Sequence, residues 1–157
     1  RYDMHPFQVS ETTLNSLGIG SYKTAGICAE LETLFIELDD PKDLRNIHPN
    51  YPMLVNSNNL IKEVVITSIS DSDEFDFFLR SFCPWIGIDE DPVTGSVHSV
   101  LAPFWQRRLG KSLMKAFQSS PRGGEVFVEV VNGRVKLGGH TVTIMKGEIS
   151  LSQQVML

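Results

Sequence analysis

From Leu34 to Asp39 the side chains alternate, with Leu34, Ile36 and Leu38 on one side and Phe35, Glu37 and Asp39 on the other. A period of two marks a strand, because successive Cβ atoms point to opposite faces of a sheet. The stretch "ICAELETLFIELDD" is therefore predicted to form strands. "LIKEVVITSIS" is rich in β-branched residues and reads as a buried strand. "FDFFLRSFC" reads as another, with Phe75, Phe77 and Leu79 on one face and Phe78, Arg80 and Phe82 on the other. The last third is a predicted β-meander. Its "EVFVEVVNGRVKLGG" contains Asn132-Gly133, a pair that accepts the positive φ angles of a tight hairpin. "HTVTIMKGEISL" is expected to add one or two more strands.

Between these strands the period changes. Val97, Leu101, Phe104 and Arg108 fall on one helical stripe, flanked by Val100 and Trp105. Pro103 lies inside this helix and is expected to kink or shorten it. Two short helices precede it. One is capped by Ser10, with Thr13 one turn on, and stops at Gly18. The other starts at Asp40 with Pro41 in its first position and runs to about Ile47. The chain shows no internal repeat or low-complexity segment. The predicted class is α+β: one domain, residues 1–157, a mostly antiparallel sheet with one apolar helix packed in its middle.

Composition narrows the partners. The chain has 157 residues, 41% hydrophobic and 21% charged, with net charge −5. The acidic balance disfavours nucleic acid and anionic membranes. Arg107-Arg108 with Lys111 and Lys115 reads as a solvated helix end. No apolar run reaches the ~18 residues of a membrane span, and no apolar leader opens the chain. A cytoplasmic location is expected. Cys28 and Cys83 fit neither a disulfide framework nor a metal pair and read as buried small residues in a reducing compartment. His5, His48 and His140 are scattered and suggest no metal site. The first residue is Arg, consistent with a processed chain or a fragment.

The densest cluster of carboxylates, Asp89, Glu90 and Asp91, lies in "IDEDPVTGSVHSV", just before the long helix. Its plain reading is a helix capped by Thr94 or Ser96, with acids favouring the dipole. Its chemical reading is an anion cradle. First-turn N–H groups have no partner within a helix, and Gly95 permits close approach by an oxygen. Asp91, behind Pro92, sets a carboxylate beside that cradle. A small molecule carrying a carboxylate and a proton to be moved would suit the pair. A calcium loop is excluded, because Val93 occupies a ligand position, glycine is not at the sixth place and Pro92 stiffens the turn.

The stretch "RSFCPWIGIDEDPVTGSVHSVLAPFWQRRLGK", followed by "AFQSSPRGGEVFVEVVNGRVKLGGHTVTIMKGEI", resembles the phenazine-biosynthesis F-like (PhzF-like) family. Arg80, Phe82, Pro84, Gly87, Glu90, Asp91, Pro92, Thr94, Gly95, Ser96, Trp105, Gln118, Ser120, Arg122, Gly123 and Gly124 match its pattern in order. Before Arg80 the match is loose, in element order only. The resemblance implies a diaminopimelate-epimerase-like fold, in which two halves each wrap a sheet around a central helix and the active site lies between them. It implies an isomerase or epimerase that moves a proton within a small carboxylate-bearing substrate, without metal or organic cofactor. By carry-over, Asp91 is the catalytic acid of this half. Thr94, Gly95 and Ser96 bind substrate, with the backbone N–H groups of Gly95 and Ser96 holding its carboxylate.

The family's glutamate base and its Gly-His pair belong to an N-terminal half and have no match here. The chain therefore reads as a C-terminal half, inactive alone, whose last few residues are disordered or belong with the missing half. Its expected partners are that N-terminal half or a second copy in a homodimer. Related racemases pair one cysteine from each half; here Asp91 stands in that place, and Cys83 lies eight residues earlier. The alternative is a non-catalytic binding or scaffold protein that keeps the fold. His98 reads as a surface or core residue rather than a site residue. Gln118 and Ser120 read as loop hydrogen-bonders. Arg122 either binds near the clamp or closes its turn.

Overall fold

The structure, a computed structural model, describes residues 2–148. Nine strands join one sheet: β1 (His5–Pro6), β2 (Thr24–Cys28), β3 (Thr33–Leu38), β4 (Glu63–Ile69), β5 (Phe77–Cys83), β6 (Ile88–Glu90), β7 (Leu113–Gln118), β8 (Gly124–Val131) and β9 (Arg134–Gly138). The spatial order is β1-β2-β3-β4-β5-β7-β8-β9, with β6 paired to β5 off this path. The β3–β4 and β5–β7 pairs are parallel and the others antiparallel.

Parallel neighbours need a crossover connection. The β3–β4 crossover carries α2 (Pro41–Arg45) and α3 (Tyr51–Ser57), and the β5–β7 crossover carries β6 and α4 (His98–Leu109). With α1 (Glu11–Leu17), the short helices cover one face and α4 the other. Leu34 and Ile36 of β3, Val64 and Ile66 of β4, and Phe78 and Phe82 of β5 pack under the short helices with Leu17, Leu44 and Leu54. From the same strands Phe35, Val65, Phe77 and Leu79 turn to α4. The central strands thus alternate between two buried faces.

α4 buries His98, Val100, Leu101, Ala102, Phe104 and Trp105. Trp105 stacks on Phe77 with ring centroids 5.6 Å apart, and its indole N–H donates to Thr67 Oγ1 at 3.0 Å. The helix is not cut short by Pro103, and continues to Leu109. The carbonyl left without its usual donor is that of Ser99, on the half-exposed side where water can reach it.

Three other local differences have clear causes. The second predicted helix ends at Arg45, and a separate α3 follows. Asn50 caps α3, its side chain accepting from Met53 N–H at 3.1 Å, with Pro52 in the first turn. β5 begins at Phe77, so Phe75 lies outside the strand and packs with Phe78 and Phe117 rather than toward α4. Residues 140–148 form no strand: Val142, Ile144 and Met145 are exposed, with no partner strand among the described residues. The Asn132-Gly133 hairpin forms as predicted, with φ of 50° and 71°. The last few residues of the chain lie outside the described ones.

Candidate active site at the open end of the central helix

Antiparallel pairing of β5 with β6 sets the entry to the site. Arg80 on β5 holds Glu90 on β6 through two hydrogen bonds of 2.8 Å, from Nε and Nη2. Both side chains are largely buried. Arg80 Nη1 also donates to the Ile47 carbonyl at 2.7 Å, and the guanidinium lies over Phe82. The motif residues Arg80, Phe82 and Glu90 therefore form one anchor.

The next residues are held almost atom by atom. Asp91 N–H donates to the Ser81 carbonyl at 3.0 Å. Gln118, at the end of β7 and fully buried, accepts from Thr94 N–H at 2.8 Å and donates to the Asp91 carbonyl at 2.6 Å. Ser120 Oγ donates to the Pro92 carbonyl at 2.8 Å. A Cβ on Gly124 would collide with Val93 Cγ2, so only glycine lets the loop rest on β8. The loop role read for Gln118 and Ser120 is thus a specific one: both grip the segment that carries Asp91. Their partners lie 24 to 28 positions away, out of reach of any local pattern.

The expected cap does not form. Thr94 Oγ1 donates instead to Asp91 Oδ2 at 2.6 Å, and neither Thr94 nor Ser96 caps α4. A tight turn leads into the helix, with His98 N–H on the Gly95 carbonyl and Ser99 N–H on the Ser96 carbonyl. The N–H groups of Gly95 and Ser96 have no hydrogen-bond partner among the described residues, and both residues are exposed. Asp91 is half-buried, and its Oδ1 has no partner among the described residues. The four residues singled out from the sequence, Asp91, Thr94, Gly95 and Ser96, thus share one turn, with Thr94 facing inward.

His98 is a core residue. It is fully buried beside Phe77, and Nδ1 lies 3.0 Å from the Thr94 carbonyl. A carbonyl only accepts, so Nδ1 carries the proton and Nε2 is a buried lone pair without a partner. Burial pulls its pKa down to about 4, against the Thr94 bond. Cys83 is also buried, and burial, then Glu63, then Asp91 push its thiol up to about 11. It stays protonated and poorly suited to act as a base. Arg122 is exposed, with no acidic partner among the described residues. Among those residues no three of His, Cys, Asp and Glu group to hold a metal ion.

Residues 8–147 match the family model described as phenazine biosynthesis-like protein (PhzC-PhzF). The chain belongs to this family. It is 35% identical to the human phenazine biosynthesis-like domain-containing protein, over 95% of this chain and 56% of that one. It is 40% identical to an uncharacterised isomerase of Halalkalibacterium halodurans, over 74% of this chain and 43% of the relative. A PhzF-family crystal structure from Enterococcus faecalis superposes with a TM-score of 0.81 at 34% identity, covering 94% of this chain and 54% of that one. The chain spans about half the length of the curated relatives it matches. Its α+β fold is PhzF-like and diaminopimelate-epimerase-like, a sheet wrapped around a central helix. No described helix is long and apolar enough to cross a membrane.

Proposed function

We propose that this chain is the C-terminal half of a cofactor-independent, cytoplasmic isomerase or epimerase that moves a proton within a small carboxylate-bearing substrate. One observation carries the reading: a half-buried Asp91 with a free oxygen stands beside the unpartnered N–H groups of Gly95 and Ser96. The N–H groups would hold the substrate carboxylate, aided by the positive end of the α4 dipole. Asp91 would contact the amino or hydroxyl group and relay the proton. The base that removes the proton comes from the N-terminal half.

Exposed apolar side chains flank this end. Ile86 lies on the turn before β6 and Ile88 opens β6, and Leu137 reaches the position above Gly95. Exposed apolar side chains at this end suit a partner that covers the site. The N-terminal half is that partner, and a second copy is the substitute when it is absent.

Proton exchange in heavy water tests the reading. The 157-residue chain alone should exchange no α-proton of any amino or hydroxy acid, for want of a base worth about 10²–10⁴-fold. A full-length version should do so. Exchange by the chain alone refutes the half-site, and a full-length protein that binds carboxylates without exchanging protons is a non-catalytic binding protein. Sedimentation should show self-association or pairing with the N-terminal half. Strict monomers that bind no apolar dye count against the covered rim.

A further inference from the structure

We infer that Thr94 and Gln118 form a positioning pair that decides which oxygen of Asp91 is free to react, an inference that rests on the reading of Asp91 above. Thr94 N–H can only donate, so the Gln118 atom facing it at 2.8 Å is Oε1. The Asp91 carbonyl can only accept, so the atom facing it at 2.6 Å is Nε2. These two partners orient the amide without ambiguity. Nε2 also lies 3.2 Å from Thr94 Oγ1 and donates to it. The hydroxyl proton then points to the remaining acceptor, Asp91 Oδ2, at 2.6 Å. The hydrogen bonds run in one direction, from amide to hydroxyl to carboxylate.

Burial keeps this chain of bonds from being scrambled by water. Gln118 is 0% exposed and Thr94 8%. Gln118 is also the last residue of β7, in register with Leu79 of β5, so the sheet itself fixes its height. Asp91 Oδ2 is thereby occupied, and Oδ1 is the oxygen presented to a proton on the substrate. Thr94 has its N–H, hydroxyl and carbonyl engaged by Gln118, Asp91 and His98. On this inference Thr94 orients the acid, where the sequence reading has it bind substrate.

Steady-state kinetics of a full-length version separate these roles. Thr94→Val and Gln118→Met should each lower kcat about 10–100-fold with KM within about twofold, and Thr94→Ser should restore kcat to within about threefold. Thr94→Val that raises KM and spares kcat overturns the pair and makes Thr94 a substrate ligand. If Asp91→Asn itself spares kcat, the reading of Asp91 fails instead. The 157-residue chain supplies an arm independent of catalysis and of whether Gln118→Met folds. In its NMR spectrum the Thr94 hydroxyl proton should exchange slowly and shift on Asp91→Asn. Exchange as fast as that of an exposed threonine overturns the arrangement.

Discussion

At its C-terminal end α4 is closed by a glycine cap and anchored by an ion pair. Gly110 adopts a left-handed conformation, and its N–H returns to the Gln106 carbonyl at 2.9 Å. Arg108 reaches the buried carboxylate of Glu37 at 2.9 Å and lies over the Phe104 ring. A cation here also complements the helix dipole. At the N-terminal end the Thr94 hydroxyl is turned onto Asp91, and the N–H groups of Gly95 and Ser96 have no partner among the described residues. The loop before them is nonetheless held by Ser81, Gln118 and Ser120. Rigid backbone and unused donors are separate properties, and this loop has both. One end of the helix is tied to β3 through Glu37, and the other leaves its donors without partners among the described residues.

The largest effect that could break this contrast is Asp91→Asn in a full-length version. It should lower the rate about 10²–10⁴-fold while the melting temperature stays nearly unchanged. A variant that melts several degrees lower and keeps its rate would make the open end as structural as the closed one.

His98 sharpens the boundary between the two regimes, because it follows the open turn yet belongs to the core. Its folded pKa of about 4 lies below its ordinary value of 6.5. Above pH 6.5 the ring is neutral in both states and this contribution is fully present. As pH falls from 6.5 through about 4, the unfolded chain takes up the proton first, and about 3 kcal/mol of stability is lost. Urea unfolding at pH 7.5, 5.5 and 4.5, compared with His98→Gln, isolates this share from the carboxylates. Equal pH dependence in the two proteins refutes it.

Arg108→Leu tests the closed end. It leaves the buried Glu37 carboxylate with the more distant Lys23, at 3.5 Å, and should cost about 2 kcal/mol of stability. Denaturant midpoints report the loss, and the Gly95 and Ser96 amide shifts should not move. The smallest expected effect is anion binding by the chain alone. Sulfate or a small carboxylate should shift the amides of Gly95, Ser96 and Val97 with a millimolar Kd, about −4 kcal/mol. Fixed amides there, with shifts elsewhere, would move the site.

Much of this architecture was legible in local pattern. The alternation in β3, the stripe on α4 and the Asn132-Gly133 hairpin follow from period and turn chemistry, which act within a few residues. The missed α3 carried a readable signal in Asn50 and Pro52. The one or two strands expected in "HTVTIMKGEISL" show the opposite failure over residues 140–148. Their β-branched residues have the propensity, but a strand also needs a neighbour to pair with, and propensity cannot supply one.

The sequence by itself determined which residues stand together in the acidic turn, because Asp91, Thr94, Gly95 and Ser96 are joined by the chain over six positions. It also determined that a helix follows them and that two further motifs flank it. Only the tertiary structure decided that Arg80 meets Glu90, that Gly124 makes room for Val93, and that Gln118 turns the Thr94 hydroxyl from the helix to the carboxylate. The reason is physical. A hydroxyl beside a helix start can accept from helix N–H groups, accept from a distant donor or donate to a carboxylate, and local chemistry ranks these too closely to choose. The choice falls to a buried amide 24 residues away, placed by the register of two parallel strands.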